Sequence, residues 1–348
     1  MGPSENDLLG LVKTLATRAG RSEPVALERL SAGRNNQVYR LTGASGEVLF
    51  LKSYFTDPRD TRPRLAAEWS FLDYAWARGI RDVPQPIAAD FDLKLGLYEF
   101  IDGSKLSEPD VDWSHLQSAA RFILALNVKP RNFERLPAAS EACMSIAEHI
   151  ATVDRRVQGL EQLHPEVPHR EAAAQFVGTR LTAIWQRVRA RIADEVVSLR
   201  IDVDARLDAE DVIASPSDFG FHNMLQRADG TLVFTDFEYA GIDDPAKLVC
   251  DFFAQPDLPA PIEHLPAFID MLSEGLNLAP HHARRCALLL DAYRVKWACI
   301  ILNDFRPVGA RQRAFARADS WSQRCATQLA KAEAKIAQVS TVARGAVR

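Results

Sequence analysis

The chain has 348 residues, a length that suits two domains better than one compact core. Its 47% apolar and 25% charged residues are typical of globular proteins, and no apolar run is long enough to span a bilayer. The formal net charge of −4 excludes a strongly basic nucleic-acid-binding protein. The five cysteines form no C-x-x-C pair and no secretory signal is recognisable, so we expect a cytoplasmic protein. We expect neither nucleic acid nor membrane as a partner, and the oligomeric state stays open.

The first hundred residues predict a small antiparallel sheet. Residues 7–18 predict a short helix, and the following apolar runs are separated by turns rich in Gly, Asn and Ser, as in hairpins. Strands are expected at residues 25–30, 37–41, 47–52, 87–91 and 96–100. Residues 63–78 predict a helix between them, because large apolar residues recur there at helical spacing after a proline.

The remainder of the chain predicts mainly helices. Apolar residues recur at helical spacing in residues 113–127, 140–160, 170–199 and again from 261 onward. Short apolar runs at 212–237 predict an island of strands among them. The predicted fold class is α+β, with an N-terminal lobe (residues 1–102) of antiparallel sheet and one helix, and a larger, mainly helical C-terminal lobe (residues 103–348).

The strand island carries three oxygen-bearing side chains at fixed spacing. Asp218 and Asn223 are five residues apart, and Asp236 follows thirteen residues later, after a turn and an apolar run. Kinases place a catalytic base and two magnesium ligands in this way, as D-x-x-x-x-N followed by an Asp on the next strand. Mg²⁺ requires hard oxygen ligands, which Asn and Asp supply. The pattern therefore predicts Asp218 as the catalytic base, and Asn223 and Asp236 as ligands of Mg²⁺, with Glu238 as a possible further ligand.

A lysine and a glutamate occur in the order that ATP binding requires. Lys52 closes the strand at 47–52 and is expected to contact the α- and β-phosphates of ATP. Such a lysine needs a carboxylate to hold it, and Glu68 lies on the following helix. The two residues precede the Asp218 motif, as they do in kinases.

Two loops complete the predicted nucleotide site. The loop at residues 31–36 contains Gly33, Asn35 and Asn36, whose backbone N–H groups could bind phosphate. A single glycine makes this a weak signal on its own. The segment from Glu99 to Ile101 is the expected hinge between the lobes, where backbone groups could bind adenine.

Together these residues resemble the aminoglycoside phosphotransferase and choline kinase family, which has a protein-kinase-like fold. The resemblance covers about residues 30–253 and includes Asp244-Pro245 followed by Asp251. It implies a bilobal fold, ATP and Mg²⁺, and the roles given above for the site residues. The family usually has His-Gly-Asp-x-His before its Asn, whereas this chain has Pro216-Ser217-Asp218-Phe219-Gly220, so both family histidines are missing. The chain is therefore expected to be a divergent branch.

The C-terminal region bears on the phosphate acceptor. Residues 281–348 contain thirteen Lys or Arg and four Asp or Glu. An aminoglycoside is a polycation that a carboxylate-lined site would bind, whereas Arg284, Arg285, Arg294 and Lys296 suit an anionic alcohol such as a phosphorylated sugar. The expected activity is ATP-dependent phosphorylation of a small-molecule hydroxyl. A catalytically inactive pseudokinase and an aminoglycoside phosphotransferase remain as alternatives.

The histidines are expected to have no metal-binding role. The eight of them form no spaced ligand motif, and the side chains of the adjacent pair His281 and His282 are expected to diverge on a helix. His222 is expected to be a packing residue.

Overall fold

The computed structural model describes residues 5–30, 36–58, 60–129, 133–307 and 320–339. These residues form two compact units. The first contains the described residues up to Lys105 together with Asn223–Tyr239, and the second contains Leu106–His222, 240–307 and 320–339. Asn223–Tyr239 thus joins the first unit, whereas the sequence assigned it to the C-terminal lobe. No helix in the described ranges is long and apolar enough to cross a membrane.

The described residues form short strands and longer helices, which follow one another in runs along the chain. The strands are β1 (Pro24–Leu30), β2 (Gln37–Gly43), β3 (Val48–Ser53), β4 (Pro86–Asp90), β5 (Leu95–Glu99), β6 (Ser104–Lys105), β7 (Ile213–Ser215), β8 (Met224–Gln226), β9 (Leu232–Phe234) and β10 (Gly241–Asp243). The helices are α1 (Glu5–Arg18), α2 (Arg64–Ala77), α3 (Trp113–Leu126), α4 (Ile146–Gly159), α5 (Arg170–Phe176), α6 (Thr182–Leu199), α7 (Pro245–Ala254), α8 (Leu265–Leu276), α9 (His281–Ile301) and α10 (Trp321–Ala337). The strands and helices predicted in the first hundred residues agree with these bounds to within two residues.

Two of the predicted helices need correction. The helix expected at 140–160 begins only at Ile146, because Ser145 is its N-cap and its hydroxyl accepts a hydrogen bond from the backbone N–H of Glu148 (3.2 Å). The helix expected at 170–199 is interrupted by one π-helical segment at Val177–Leu181, between α5 and α6.

The first unit is built on a five-stranded antiparallel sheet in the order β1-β2-β3-β5-β4. Side chains alternate between the two faces of a strand, so Leu49 and Leu51 of β3 lie on one face. They pack in a core cluster with Leu8 and Val12 of α1. Lys52 therefore lies on the opposite face of the sheet. A second, three-stranded sheet in the order β6-β8-β9 belongs to the same unit.

The second unit is mainly helical around the long helix α9. Its core cluster includes Trp185 and Ile192 of α6, Val295 of α9 and Ile336 of α10. Strand β7 pairs with β10 in antiparallel register, so residues 213–215 lie beside 241–243. Helix α7 begins directly after β10. This pairing places two chain segments from the predicted catalytic region side by side in the second unit.

Candidate active site

Lys52 is the centre of a buried charge cluster in the first unit. Its Nζ donates a hydrogen bond to Glu68 Oε2 (2.7 Å) on α2 and to Asp236 Oδ1 (2.5 Å) after β9. Glu238 Oε2 lies 4.0 Å from the same Nζ. Three carboxylates thus surround one cation whose side chain is 6% exposed. The structure confirms the contact between Lys52 and Glu68 that the sequence predicted, and it brings the separately predicted Asp236 to the same lysine.

The carboxylate of Glu68 ties α2 to the rest of this cluster. Glu68 Oε2 accepts a hydrogen bond from the hydroxyl of Tyr54 (2.6 Å), which is itself 2.6 Å from the Tyr98 hydroxyl. Its Oε1 accepts a hydrogen bond from the backbone N–H of Phe237 (3.3 Å), the residue directly after Asp236. The Phe237 ring stacks on Phe71 of α2, with centroids 4.7 Å apart. Glu68 therefore fixes both Lys52 and the backbone that carries Asp236.

Burial and charge act in opposite directions on these groups. Burial alone would lower the pKa of Lys52, but the carboxylates of Asp236, Glu68 and Glu238 hold this pKa well above its ordinary value. Burial raises the pKa of Glu68, although Lys52 opposes the shift. Lys52 therefore stays charged near neutral pH, and its charge offsets the cost of burying the glutamates.

Asn223 and Asp236 lie at the same end of the hairpin formed by β8 and β9. Met224 pairs with Phe234, so Asn223 and Thr235 are opposite each other just beyond the paired strands. The Asn223 carbonyl accepts hydrogen bonds from the Thr235 N–H (3.0 Å) and hydroxyl (2.8 Å). Asp236 has a positive φ of 67° and a side chain that is 38% exposed. Non-glycine residues seldom adopt this conformation, and those that do are often found at functional sites.

Glu238 and Asn36 are both used inside the fold. The Asn36 side chain donates a hydrogen bond to Glu238 Oε2 (2.5 Å), and its Oδ1 accepts one from the backbone N–H of Phe55 (2.9 Å). The side chain of Glu238 is 1% exposed, and Arg64 Nε lies 3.8 Å from it. The amide of Asn36 thus joins the end of the predicted nucleotide loop to the segment after Asp236.

The other predicted nucleotide-binding residues have a mixed outcome. Gly33 and Asn35 lie outside the described residues. Glu99 is the last residue of β5, and its N–H donates a hydrogen bond to the Gln85 carbonyl (2.9 Å) while its carboxylate accepts one from the Gln85 N–H (3.2 Å). Ile101 follows as a buried residue, 8% exposed. The segment from Glu99 to Ile101 is therefore anchored by the two hydrogen bonds of Glu99 to Gln85 and by the burial of Ile101.

Asp218 lies in the second unit, on a loop held by buried aromatic rings. Phe219 packs against Phe122 and Phe252, with centroids 6.1 and 5.2 Å apart, and Phe221 packs against Phe252 at 5.1 Å. The Asp218 side chain is 25% exposed between these two buried anchors. The loop therefore holds a partly exposed carboxylate between two buried aromatic rings.

His222 also lies on this loop, and the sequence predicted only a packing role for it. Its Nε2 lies 3.6 Å from Asp218 Oδ1. A Cβ added to Gly220 would lie 2.7 Å from His222 Nδ1, so the imidazole occupies the space beside this glycine. The family pattern has a histidine at position 220. The absence of that histidine, together with a histidine two residues later, was the available signal for this arrangement.

The backbone before Asp218 is fixed by a buried lysine. Lys247 of α7 forms an ion pair with Asp243, and its Nζ donates a hydrogen bond to the Ser217 hydroxyl (3.3 Å). Ser217 has a positive φ of 66°. Burial would lower the pKa of Lys247, but the neighbouring Asp243 raises it above the ordinary value. A buried lysine whose charge is stabilised by Asp243 thus supports the residue that precedes Asp218.

Three of the four basic residues of α9 that were expected to suit an anionic acceptor are instead buried and paired inside the fold. Arg285 pairs with Asp244, Arg294 Nη1 bonds Asp291 Oδ1 at 2.7 Å, and Lys296 Nζ bonds both Asp251 oxygens at 2.8 and 2.9 Å. These three cations are 5–8% exposed, and Arg284 is exposed. Unpaired cations would not be buried at such cost, so the fold supplies each with its own carboxylate.

Three carboxylates of the second unit neutralise these cations: Asp244, Asp251 and Asp291. Asp244 is shared with His149. His149 Nε2 lies 3.0 Å from Asp244 Oδ2, and its Nδ1 lies 2.6 Å from the Tyr293 hydroxyl. Burial would lower the pKa of His149, but the hydrogen bond to Asp244 raises it to about 9. Asp244-Pro245 and Asp251, which the family resemblance singled out, are therefore part of the internal charge network of this unit.

The expectation that the side chains of His281 and His282 diverge is also wrong. The rings of His281 and His282 lie 4.3 Å apart in the first turn of α9, and they converge with Asp211 instead of diverging. One ligand atom from each of the three residues lies within 4.8 Å of the others. Asp211 lies 70 residues earlier, so sequence spacing could not reveal the group.

The sequence and fold identify the family of this chain. The profile of the phosphotransferase enzyme family matches residues 26–288, and the chain belongs to this family. It is a member of a family of kinases with a protein-kinase-like fold, which confirms the predicted fold class and the family resemblance. Comparison with curated protein sequences gives no match.

Solved structures of similar fold come from small-molecule kinases. The choline kinase of Cryptosporidium parvum Iowa II has a TM-score of 0.57 at 13% identity, covering 96% of this chain and 97% of that one. A choline/ethanolamine kinase family protein from Mesorhizobium loti has a TM-score of 0.57 at 17% identity, covering 95% and 94%. A spectinomycin phosphotransferase bound to ADP and spectinomycin has a TM-score of 0.60 at 13% identity, covering 96% and 99%. At these identities the likeness shows the fold alone.

Proposed function

We propose that this protein transfers the γ-phosphate of ATP to a hydroxyl group of a small molecule. The observation that carries the proposal is the buried Lys52, held by Glu68 at 2.7 Å and by Asp236 at 2.5 Å. A lysine so fixed provides a preorganised positive charge for the phosphates of ATP, and positioning with charge stabilisation is the main requirement of phosphoryl transfer.

The proposed magnesium ligands are Asn223 and Asp236. They adjoin the same end of one hairpin, and both offer hard oxygen atoms, so the donor chemistry fits Mg²⁺. The Asp236 side chain is partly exposed, whereas Glu238 is buried and bonded to Asn36, which favours Asp236 as the direct ligand. When bound, Mg²⁺ would neutralise charge on the phosphate oxygens.

Asp218 is the proposed catalytic base, and His222 its positioning residue. A carboxylate near the acceptor hydroxyl orients it and accepts its proton. His222 Nε2 lies 3.6 Å from Asp218 Oδ1. In this proposal His222 takes the place of the histidine that the family has at position 220. The chain therefore keeps a histidine beside the base, at a new position.

The contacts of the basic residues on α9 change the order in which acceptors should be tested. Arg285, Arg294 and Lys296 are paired with carboxylates inside the second unit, so they give no support to an anionic acceptor. The structures of similar fold are named for choline, ethanolamine and spectinomycin, which are cationic alcohols. We therefore propose amino alcohols and aminocyclitols, the aminoglycosides included, ahead of phosphorylated sugars.

The test is an acceptor screen that follows ADP release in the presence of Mg-ATP. The panel contains choline, ethanolamine, spectinomycin, an aminoglycoside and a sugar phosphate. The proposal predicts acceptor-dependent ADP release with at least one cationic alcohol. Asp218→Asn should lower this rate by on the order of 10²–10⁴ while Mg-ATP still binds, because only the base is lost.

Two results would contradict the proposal. Undiminished turnover by Asp218→Asn would show that this carboxylate is not the base. Absence of Mg-ATP binding at millimolar concentration would favour the pseudokinase alternative.

A further inference from the structure

The second unit contains a group of three potential metal ligands that the proposed phosphotransfer reaction does not use. Asp211 precedes β7 by two residues, and His281 and His282 form the first turn of α9. One side-chain ligand atom from each lies within 4.8 Å of the others. A tetrahedral Zn²⁺ with bonds of 2.0–2.2 Å requires ligand atoms about 3.3 Å apart, so small side-chain movements complete the geometry.

His282 is the member whose environment calls for a ligand. It is 2% exposed, and neither of its ring nitrogens makes a hydrogen bond within the described part of the chain. Its Nε2 lies 3.0 Å from Asp211 Oδ2, but the orientation does not meet the geometry of a hydrogen bond. Buried polar nitrogens are almost always partnered, so this ring requires an explanation. A metal ion shared with Asp211 provides one.

We propose that Asp211, His281 and His282 form a Zn²⁺ site. Two imidazole nitrogens and one carboxylate oxygen are a donor set that Zn²⁺ binds well and that Mg²⁺, which prefers oxygen, does not. His281 is exposed, so solvent can supply the fourth ligand.

The local charges permit a divalent cation at this place. Two arginines follow on the same helix: Arg285 forms an ion pair with Asp244, and Arg284 is exposed to solvent. The positive end of the α9 dipole disfavours a cation, but this effect is small beside the interaction of Zn²⁺ with its ligands. The carboxylate of Asp211 supplies the compensating negative charge.

The ion would connect the chain segment before β7 to the start of α9. Asp211 is seven residues before Asp218 in the sequence, and β7 lies between them. A Zn²⁺ bound here would stabilise the second unit and fix the strand that leads to the Asp218 loop. This inference does not depend on the proposed phosphotransfer activity.

The experiment is a Zn²⁺ titration of the full chain after treatment with EDTA and dialysis, in the absence of nucleotide. Calorimetry gives the stoichiometry, and substitution by Co²⁺ gives a visible absorption spectrum that reports the coordination geometry. We expect one Zn²⁺ per chain and, at a hundredfold excess over Kd, a rise in Tm of about 5 °C.

Variants separate this site from others. His281→Ala removes an exposed ligand and should leave the fold intact, and Asp211→Asn removes the carboxylate charge. Each should weaken Zn²⁺ binding at least tenfold and abolish the Co²⁺ spectrum. His169→Ala, at another exposed histidine, and Asp236→Ala, at the proposed magnesium site, should bind Zn²⁺ as the wild type does.

Three results would overturn the proposal. These are a Kd weaker than about 0.1 mM for the wild type, one tightly bound Zn²⁺ retained by both His281→Ala and Asp211→Asn, and Zn²⁺ binding that is lost in Asp236→Ala.

Discussion

Replacement of Lys52 by methionine should destabilise the protein strongly, in a way that depends on pH. The substitution keeps most of the side-chain volume and removes the charge. It leaves Glu68 and Glu238, with side chains 7% and 1% exposed, without the cation that now faces them. Removing one partner of a buried ion pair costs about 3–5 kcal/mol, so we expect a loss of about 4 kcal/mol in the free energy of unfolding at pH 7.5.

The sign of the pH effect follows from linkage. Burial already raises the pKa of Glu68, and without Lys52 this pKa rises further above its unfolded value near 4.3, so the folded variant binds more protons than the unfolded one. Its stability therefore increases as pH falls towards 5. Lys52 stays protonated in the wild type over this range, so the stability difference between the two proteins should shrink by up to about 1.4 kcal/mol for each unit by which the pKa of Glu68 rises.

The assay is urea unfolding at pH 7.5, 6.25 and 5. Lys13→Met is the matched control, because Lys13 pairs with Glu23 on the surface at 2.9 Å, with side chains 39% and 60% exposed. Its loss should be below about 0.5 kcal/mol at every pH. The prediction would be wrong if Lys52→Met lost less than about 1 kcal/mol in the free energy of unfolding, or if this loss did not change with pH.

Two further predictions concern the second unit. His222→Ala should lower kcat about tenfold with an unchanged Kd for Mg-ATP, and His222→Gln should restore part of the loss, because a polar group again lies beside Asp218. In Gly220→Ala the new Cβ would lie 2.7 Å from His222 Nδ1, so this variant should also lower kcat. A kcat equal to that of the wild type in all three variants would disprove the positioning role. The pKa of His149 is raised to about 9, so its contribution of about 3 kcal/mol is complete below pH 6.5 and is lost as pH rises through 9. His149→Gln should therefore flatten the fall in Tm between pH 7 and 10, and an equally steep fall in the variant would contradict this.

The first unit was predictable because its signals are local. The apolar run at 47–52 placed Lys52 at the end of a strand, and helical spacing placed Glu68 on the next helix. The order of these residues before Asp236 then agreed with one known arrangement. The hydrogen bonds from Tyr54 and from the Phe237 backbone to Glu68 could not be predicted, because they depend on side-chain directions that spacing does not define.

The charges of α9 were misread for a physical reason. A basic residue on a helix looks the same in sequence whether it meets solvent or a buried carboxylate from another element. The partners of Arg285 and Lys296 are Asp244 and Asp251, which lie 41 and 45 residues earlier. The same limit hid the approach of Asp211 to His282, since both contacts form only when distant segments pack together.

The measurement that tests the central claim most directly is a calorimetric titration of Mg-ATP into the wild type and Asp236→Ala. We predict that the wild type binds ATP and that this binding weakens when Mg²⁺ is withheld. In Asp236→Ala the Mg²⁺ dependence should disappear while the fold is retained. Equal, Mg²⁺-dependent binding by both proteins would contradict the assignment of Asp236, and no binding by either would contradict the phosphotransferase account itself.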